Sequence, residues 1–214
     1  DEENLLHVTE SSPVAVSSNR LFVGWVLRID RIAGSSGHSA LRRSASPGML
    51  LGQPRPHTMS NLLEFVPNFS AGKDQSVVDR LVPTMTAVPG VTCLGAELDG
   101  SHNRAVVTLA GEASAVAEAA FVGARGAMEK IDLRDHVGEH KRMGAMDVCP
   151  FVPLGDSTMA DAVTTARAVA QRIGTELNLP VFLYAEACQR EDRRKRGNFR
   201  HTQIDGLQDL VGVD

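Results

Sequence analysis

The chain has 214 residues, 22 Lys and Arg against 26 Asp and Glu, and a net charge of −4. That balance argues against broad electrostatic attraction to nucleic acid or anionic lipid, and no apolar run approaches the roughly 18 residues of a membrane-spanning helix. The three cysteines, Cys93, Cys149 and Cys188, are widely spaced and include no CxxC pair. This pattern disfavours a disulfide scaffold or a Cys-based zinc site and fits a reducing compartment, so a cytoplasmic globular domain is expected.

Residues 1–58 are rich in Ser, Gly, Pro and Arg, hold no Lys, and after Glu10 their only acid is Asp30. A disordered or non-native leader is the favoured expectation; an organellar transit segment is the other reading of such a composition. From Met59 onward, apolar runs alternate with capped helical stretches, and residues 59–189 read as one domain. Leu62–Val66 is a strand ended by Pro67 and Asn68. Asp74–Ala87 carries Val77, Val78, Leu81, Val82 and Met85 on one helical face, with Pro83 expected to kink or end it. Val91–Leu98 and Ala105–Ala110 read as strands around the turn residues Asp99-Gly100. Ala113–Ile131 is an Ala/Gly-rich helix whose small face suits close approach. Val148–Leu154 reads as a strand whose pairing Pro150 and Pro153 limit. Thr158 and Asp161 form a capping box that opens a helix with Ala162, Val163, Ala166, Val169, Ala170 and Ile173 on one face. Val181–Tyr184 reads as a last strand, and residues 190–214 as a basic linker or tail. The order predicts an α+β fold, ferredoxin-like, with a mixed or antiparallel sheet and helices packed on one face.

Three polar stretches interrupt this pattern. Asp132–Leu154 crowds His136, Glu139, His140 and Arg142 ahead of Gly144 and Asp147. Such groups suit a packed core poorly but suit proton transfer and carboxylate binding on a loop. His136-Val-Gly-Glu139-His140 also matches the H-x-x-E-H order of inverted zinc peptidases. Gly138 inside the motif and the lack of a third ligand on a following helix weigh against that reading, and no metal is expected. Glu97–Arg104 joins the two central strands, and its bland reading is a polar hairpin turn. Val66–Gly72 is the third stretch, where Asn68 or Ser70 either bonds local backbone or faces a ligand. Three polar loops at strand ends make a pocket rim. The basic run Arg190–Arg200 reads as a solvated linker, because no aromatic platform for bases accompanies it.

Four strings, FVPNFSAGKD, SHNRAVVTLAG, HVGEHKRMGAMDVCPFVPL and LPVFLYAEA, occur in this order. They resemble the N-terminal subdomain of glutamate formimidoyltransferase, also found as the first half of formimidoyltransferase-cyclodeaminase. The resemblance implies transfer of a formimino group from N-formimino-L-glutamate to tetrahydrofolate, its co-substrate, in histidine degradation. It places the catalytic histidine at His140 and an assisting acid at Glu97. It also leaves Asn68, Asn103, Arg104, Glu139, Arg142 and Gly144 for substrate and folate binding. An imidazole suits removal of the proton from the attacking amine near neutral pH, and guanidinium forks suit carboxylates. The chain departs from the family pattern at Glu97, where the family has an Asp, and at Ala71, Lys141 and Ala185. In the family a second subdomain follows, with the folate site between the two. A C-terminal subdomain on another chain, or a homo-oligomer, is therefore an expected partner. The alternative is a non-catalytic folate-binding or protein-interaction module with the same fold.

Overall fold

The computed structural model describes residues 61–139 and 143–194. His140, Lys141 and Arg142, the expected leader and most of the basic tail lie outside the described residues. Among the described residues six strands form one sheet: β1 (Leu62–Phe65), β2 (Asn68–Phe69), β3 (Thr92–Asp99), β4 (Arg104–Glu112), β5 (Met146–Val148) and β6 (Phe151–Pro153). Every pairing is antiparallel. β1 and β2 flank Val66-Pro67, and β5 and β6 flank Cys149-Pro150. Proline has no amide hydrogen to give a ladder, so each pair is one strand interrupted at its proline. Direct bonds bridge the gaps: Val107 N–H donates to the Pro67 carbonyl at 3.0 Å, and Val66 N–H to the Pro150 carbonyl at 3.1 Å.

With each pair counted as one strand, the sheet runs β6/β5, β1/β2, β4, β3. Numbered along the chain, these positions are fourth, first, third and second. That is the ferredoxin-like order expected from the alternation of elements, and it is realised here as a purely antiparallel sheet. The α-helices of the described residues are α1 (Gln75–Thr86), α2 (Ala113–Lys130) and α3 (Met159–Leu177). Asp74 caps α1, its Oδ1 accepting from Ser76 N–H at 2.9 Å. The Thr158–Asp161 capping box opens α3, and Asn178 closes it in the left-handed region at φ +52°.

The helices cover one face of the sheet. Leu63, Phe65, Phe69, Ala105, Val107 and Leu109 are buried there with Leu81, Met85, Ala120, Ala124, Val169 and Ile173. The paired residues Phe65 and Phe151 stack with ring centroids 5.0 Å apart. The alternate residues Glu64, Asn68, Val106 and Thr108 lie half-buried on the opposite, helix-free face. α2 sits close to α1 because its facing residues are small: a Cβ on Gly123 would stand 2.8 Å from Met85 Sδ. Arg172 of α3 lies 3.7 Å from the Phe121 ring of α2 and pairs with Glu118 and Glu176.

Three expectations need correction. The single strand over 148–154 is two strands, starting two residues earlier, because Pro150 cannot continue the ladder. Pro83 does not end α1, which runs on to Thr86; Pro83 is exposed, so the carbonyl it leaves unpaired meets water. Val181–Tyr184 is not a strand. It packs Phe182 and Tyr184 as buried side chains and then turns at Ala185, φ +52°. Among the described residues no helix is long and apolar enough to cross a membrane.

Candidate functional site

The sheet register places two of the expected site residues in one row. Glu97 pairs with Val106, Val106 with Asn68, and Asn68 with Val148. Residues paired this way share a face, so Glu97 and Asn68 stand on the helix-free side, two strand spacings or ~10 Å apart. Asn68 belongs to strand β2, not to the loop where the sequence placed it, and its Nδ2 donates to the Val66 carbonyl at 3.0 Å. Glu97 is exposed.

The three polar stretches meet at one end of this row. The loop after β2, the β3–β4 turn and the segment after α2 are joined by hydrogen bonds between residues distant in sequence. Lys73 N–H donates to Asn103 Oδ1 at 2.9 Å, and Lys73 Nζ to the Val137 carbonyl at 2.9 Å. Asn103 Nδ2 donates to the same Val137 carbonyl at 3.2 Å. His136 is buried, and its Nε2 bonds the Asn103 carbonyl at 2.9 Å, which makes Nε2 the donor. Glu139 N–H donates to the Ser101 carbonyl at 3.2 Å. On the other side, Ser70 ties itself to the stretch ahead of β5. Its N–H donates to the Ala145 carbonyl at 2.9 Å and its Oγ to the Gly144 carbonyl at 2.8 Å.

The turn is built on Asp99. Its Oδ1 accepts from the Ser101 and His102 N–H groups, both at 3.0 Å, and its Oδ2 lies 2.5 Å from His102 Nδ1. Those donors, the His102 N–H first, hold the Asp99 carboxyl below the usual carboxylate range. Arg104 opens β4 and pairs with Asp99 in the register, so it stands at the mouth of the hairpin. Its Nε is buried with no hydrogen-bond partner among the described residues. Cys149 is fully buried between β5 and β6, and burial pushes its thiol up; it is a packing residue.

The structure therefore brings together Asn68, Glu97, Asn103, Arg104, Glu139 and Gly144. His140 and Arg142 lie outside the described residues, directly between Glu139 and Met143. The zinc-peptidase reading loses its helix, because residues 136–139 are not helical, and it loses His136 Nε2, which is already donating. Sequence reasoning passed over Asp147 as a site residue. It is buried and accepts from Met143 N–H at 2.6 Å, bracing the stretch that leads into β5. A lone acid heading an apolar run, four residues after Met143, was the available signal. Lys73 and Ser70 gave no signal beyond their presence in a loop.

The chain matches the family model described as the formiminotransferase domain, N-terminal subdomain, over residues 62–213. It is 46% identical over 149 residues to the glutamate formimidoyltransferase of Streptococcus pyogenes serotype M1, covering 70% of this chain and 50% of that protein. It is 45% identical over 149 residues to the glutamate formimidoyltransferase of Thermoplasma acidophilum, covering 67% of this chain and 49% of the relative. The formimidoyltransferase-cyclodeaminase of Rattus norvegicus is 43% identical over 149 residues, or 70% of this chain and 28% of the relative. The chain thus spans about half the length of the two glutamate formimidoyltransferases.

Proposed function

We propose formimino-group transfer from one premise: the chain belongs to the formiminotransferase N-terminal-subdomain family. The donor in this reading is N-formimino-L-glutamate and the acceptor is tetrahydrofolate, in a cytoplasmic step of histidine degradation. The acceptor amine adds to the amidine carbon, the carbon–nitrogen bond to glutamate breaks, and glutamate leaves with its nitrogen protonated. His140 takes the proton from the attacking amine and returns it to the leaving nitrogen, which an imidazole can do near neutral pH. Glu97 assists, either by orienting the ring or by stabilising its cationic form. Arg104 and Arg142 hold carboxylates, Asn68, Glu139 and Gly144 line the pocket, and Asn103 stands in its wall. No metal takes part.

The observation that supports this reading beyond family membership is the shared row of Glu97 and Asn68, bordered by the joined polar loops. In this reading a C-terminal subdomain on another chain, or a second copy, completes the pocket. The other reading is a folate-binding or protein-interaction module without turnover.

The test is formation of 5-formimino-tetrahydrofolate by the purified full chain, alone and mixed with the C-terminal half of a relative, with His140→Ala as control. Transfer that the control abolishes supports the reading. Binding of tetrahydrofolate without transfer under either condition favours the binding module. Absence of both refutes the assignment.

A further inference from the structure

Asn103 sits at φ +50°, in the left-handed region that asparagine tolerates better than most side chains. From there it makes three hydrogen bonds to other segments. Its Oδ1 accepts from Lys73 N–H, its Nδ2 donates to the Val137 carbonyl, and its own carbonyl accepts from His136 Nε2. Lys73 Nζ doubles the hold on the Val137 carbonyl, and the Ser101 carbonyl takes Glu139 N–H. Gly138 completes the contact by shape. A Cβ there would stand 2.5 Å from the His102 carbonyl oxygen and 2.8 Å from Asn103 Cβ. Each residue from His136 to Glu139 is thus bonded to or packed on residues 101–103 or Lys73, and His140 follows Glu139 directly in the sequence.

We infer that Asn103, with Lys73, is a positioning residue that fixes the His136–Glu139 backbone against the β3–β4 turn, and does not itself grip substrate. The inference deepens the transfer reaction proposed above and rests on it. A carboxamide offers two amide hydrogens and two oxygen lone pairs, and main-chain groups already take one of each. The left-handed backbone aims both atoms inward at the neighbouring loops. Misplacing a reacting group by about 1 Å can cost about 100-fold in rate, so the loss of this hold is large enough to read.

The test uses the full chain carrying Asn103→Gly, which keeps the left-handed backbone and removes only the carboxamide. Asn103→Asp restores one acceptor, Lys73→Met removes the doubled hold, and Gly138→Ala disturbs the contact by shape without removing a hydrogen-bonding group. Asn103→Gly and Gly138→Ala are expected to lower kcat by about tenfold to 100-fold with KM for both substrates within about threefold. Asn103→Asp recovers part of that loss. Hydrogen exchange at the Glu139 amide, bonded to the Ser101 carbonyl, should speed up at least about tenfold in both variants. A rise in KM at unchanged kcat would assign Asn103 to ligand binding and overturn the inference, as would an unchanged Glu139 amide. If the unaltered chain shows no transfer, alone or with the C-terminal half of a relative, the functional reading fails, and the exchange rates still decide the positioning. Should Asn103→Gly fail to fold, the exposed Lys73→Met and Gly138→Ala carry the same test.

Discussion

Gly72→Ala tests whether the candidate site depends on close backbone contact between its loops. Gly72 lies where the chain leaving β2 passes the mouth of the β3–β4 hairpin. A Cβ there would stand 2.2 Å from Arg104 N, 2.3 Å from the Asp99 carbonyl oxygen and 2.6 Å from the Arg104 carbonyl oxygen. All three are backbone atoms of the hairpin's closing pair, so no side chain can swing aside to relieve the clash. Reaching ordinary contact at 3.4 Å requires the two segments to part by about 1 Å. Overpacking of that kind costs about 1–3 kcal/mol, and loosening one or two ladder hydrogen bonds adds about 1 kcal/mol each. The expected total is about 2–5 kcal/mol out of the ~5–15 kcal/mol typical of a domain. At roughly 2–4 °C per kcal/mol, calorimetry should show a Tm lower by roughly 10 °C. Gly100→Ala is the control. Nothing lies within 4 Å of a Cβ at Gly100, so its Tm should stay within about 2 °C. If Gly72→Ala matches the wild type, or if the two variants fall equally, the close approach of loop and hairpin is wrong.

Phe151→Ala removes one ring of the fully buried Phe65–Phe151 stack and should cost about 3–5 kcal/mol in urea unfolding; less than about 1 kcal/mol would refute the packing. Thr158→Ala breaks the reciprocal capping box of α3 and should cost about 1 kcal/mol, while Thr158→Ser should restore most of it. Arg134 beside Asp132 holds its carboxyl at about 2 against an ordinary 3.8. Because the folded value is the lower one, the stabilising contribution is complete above about pH 4 and is lost as pH falls toward 2. A carboxyl NMR titration should find the midpoint near 2 in the native chain and raised, but still below 3.8, in Arg134→Ala, which keeps the backbone N–H bond; a native midpoint near 3.8 would sink the pairing.

Apolar periodicity located α1 and α3, which also begin at recognisable caps, and Ala/Gly-rich composition located α2, which follows β4 with no side-chain cap. The strand order followed from the alternation of elements. What the sequence hid were features decided by partners rather than by pattern. Val181–Tyr184 is a short apolar run, and such a run reads identically whether it pairs in a sheet or packs extended on a core. Phe182 and Tyr184 took the second course. The break at Pro67 was visible, but not that the strand would resume and carry Asn68 into the Glu97 row, since register depends on the partner strands. At the site, composition located all three polar loops but could not say where each side chain pointed. Asn103 and Asn68 look alike in sequence, yet one carboxamide joins two separate loops and the other touches only its own neighbour.

That contrast divides the site by available hydrogen-bonding capacity. A polar group whose partners are already supplied by the chain has little left to give a ligand, and displacing those partners costs the fold what the ligand gains. Ser70, Asn103 and His136 are of this kind, each bound to the main chain of another segment. They set the spacing of the three loops. Asn68 keeps its Oδ1 clear of any hydrogen bond to the described residues, Glu97 is exposed on the same face, and Arg104 has a buried Nε without a partner there. These three retain capacity, and two of them share one row across the sheet. A buried, unpartnered guanidinium nitrogen is costly to maintain unless a ligand or a further segment completes it. Arg104→Lys, which keeps the charge but loses the fork, should therefore weaken carboxylate binding about tenfold or more while shifting Tm by less than about 2 °C. Equal binding by the two proteins would place the carboxylate elsewhere and leave Arg104 as a strand-end residue.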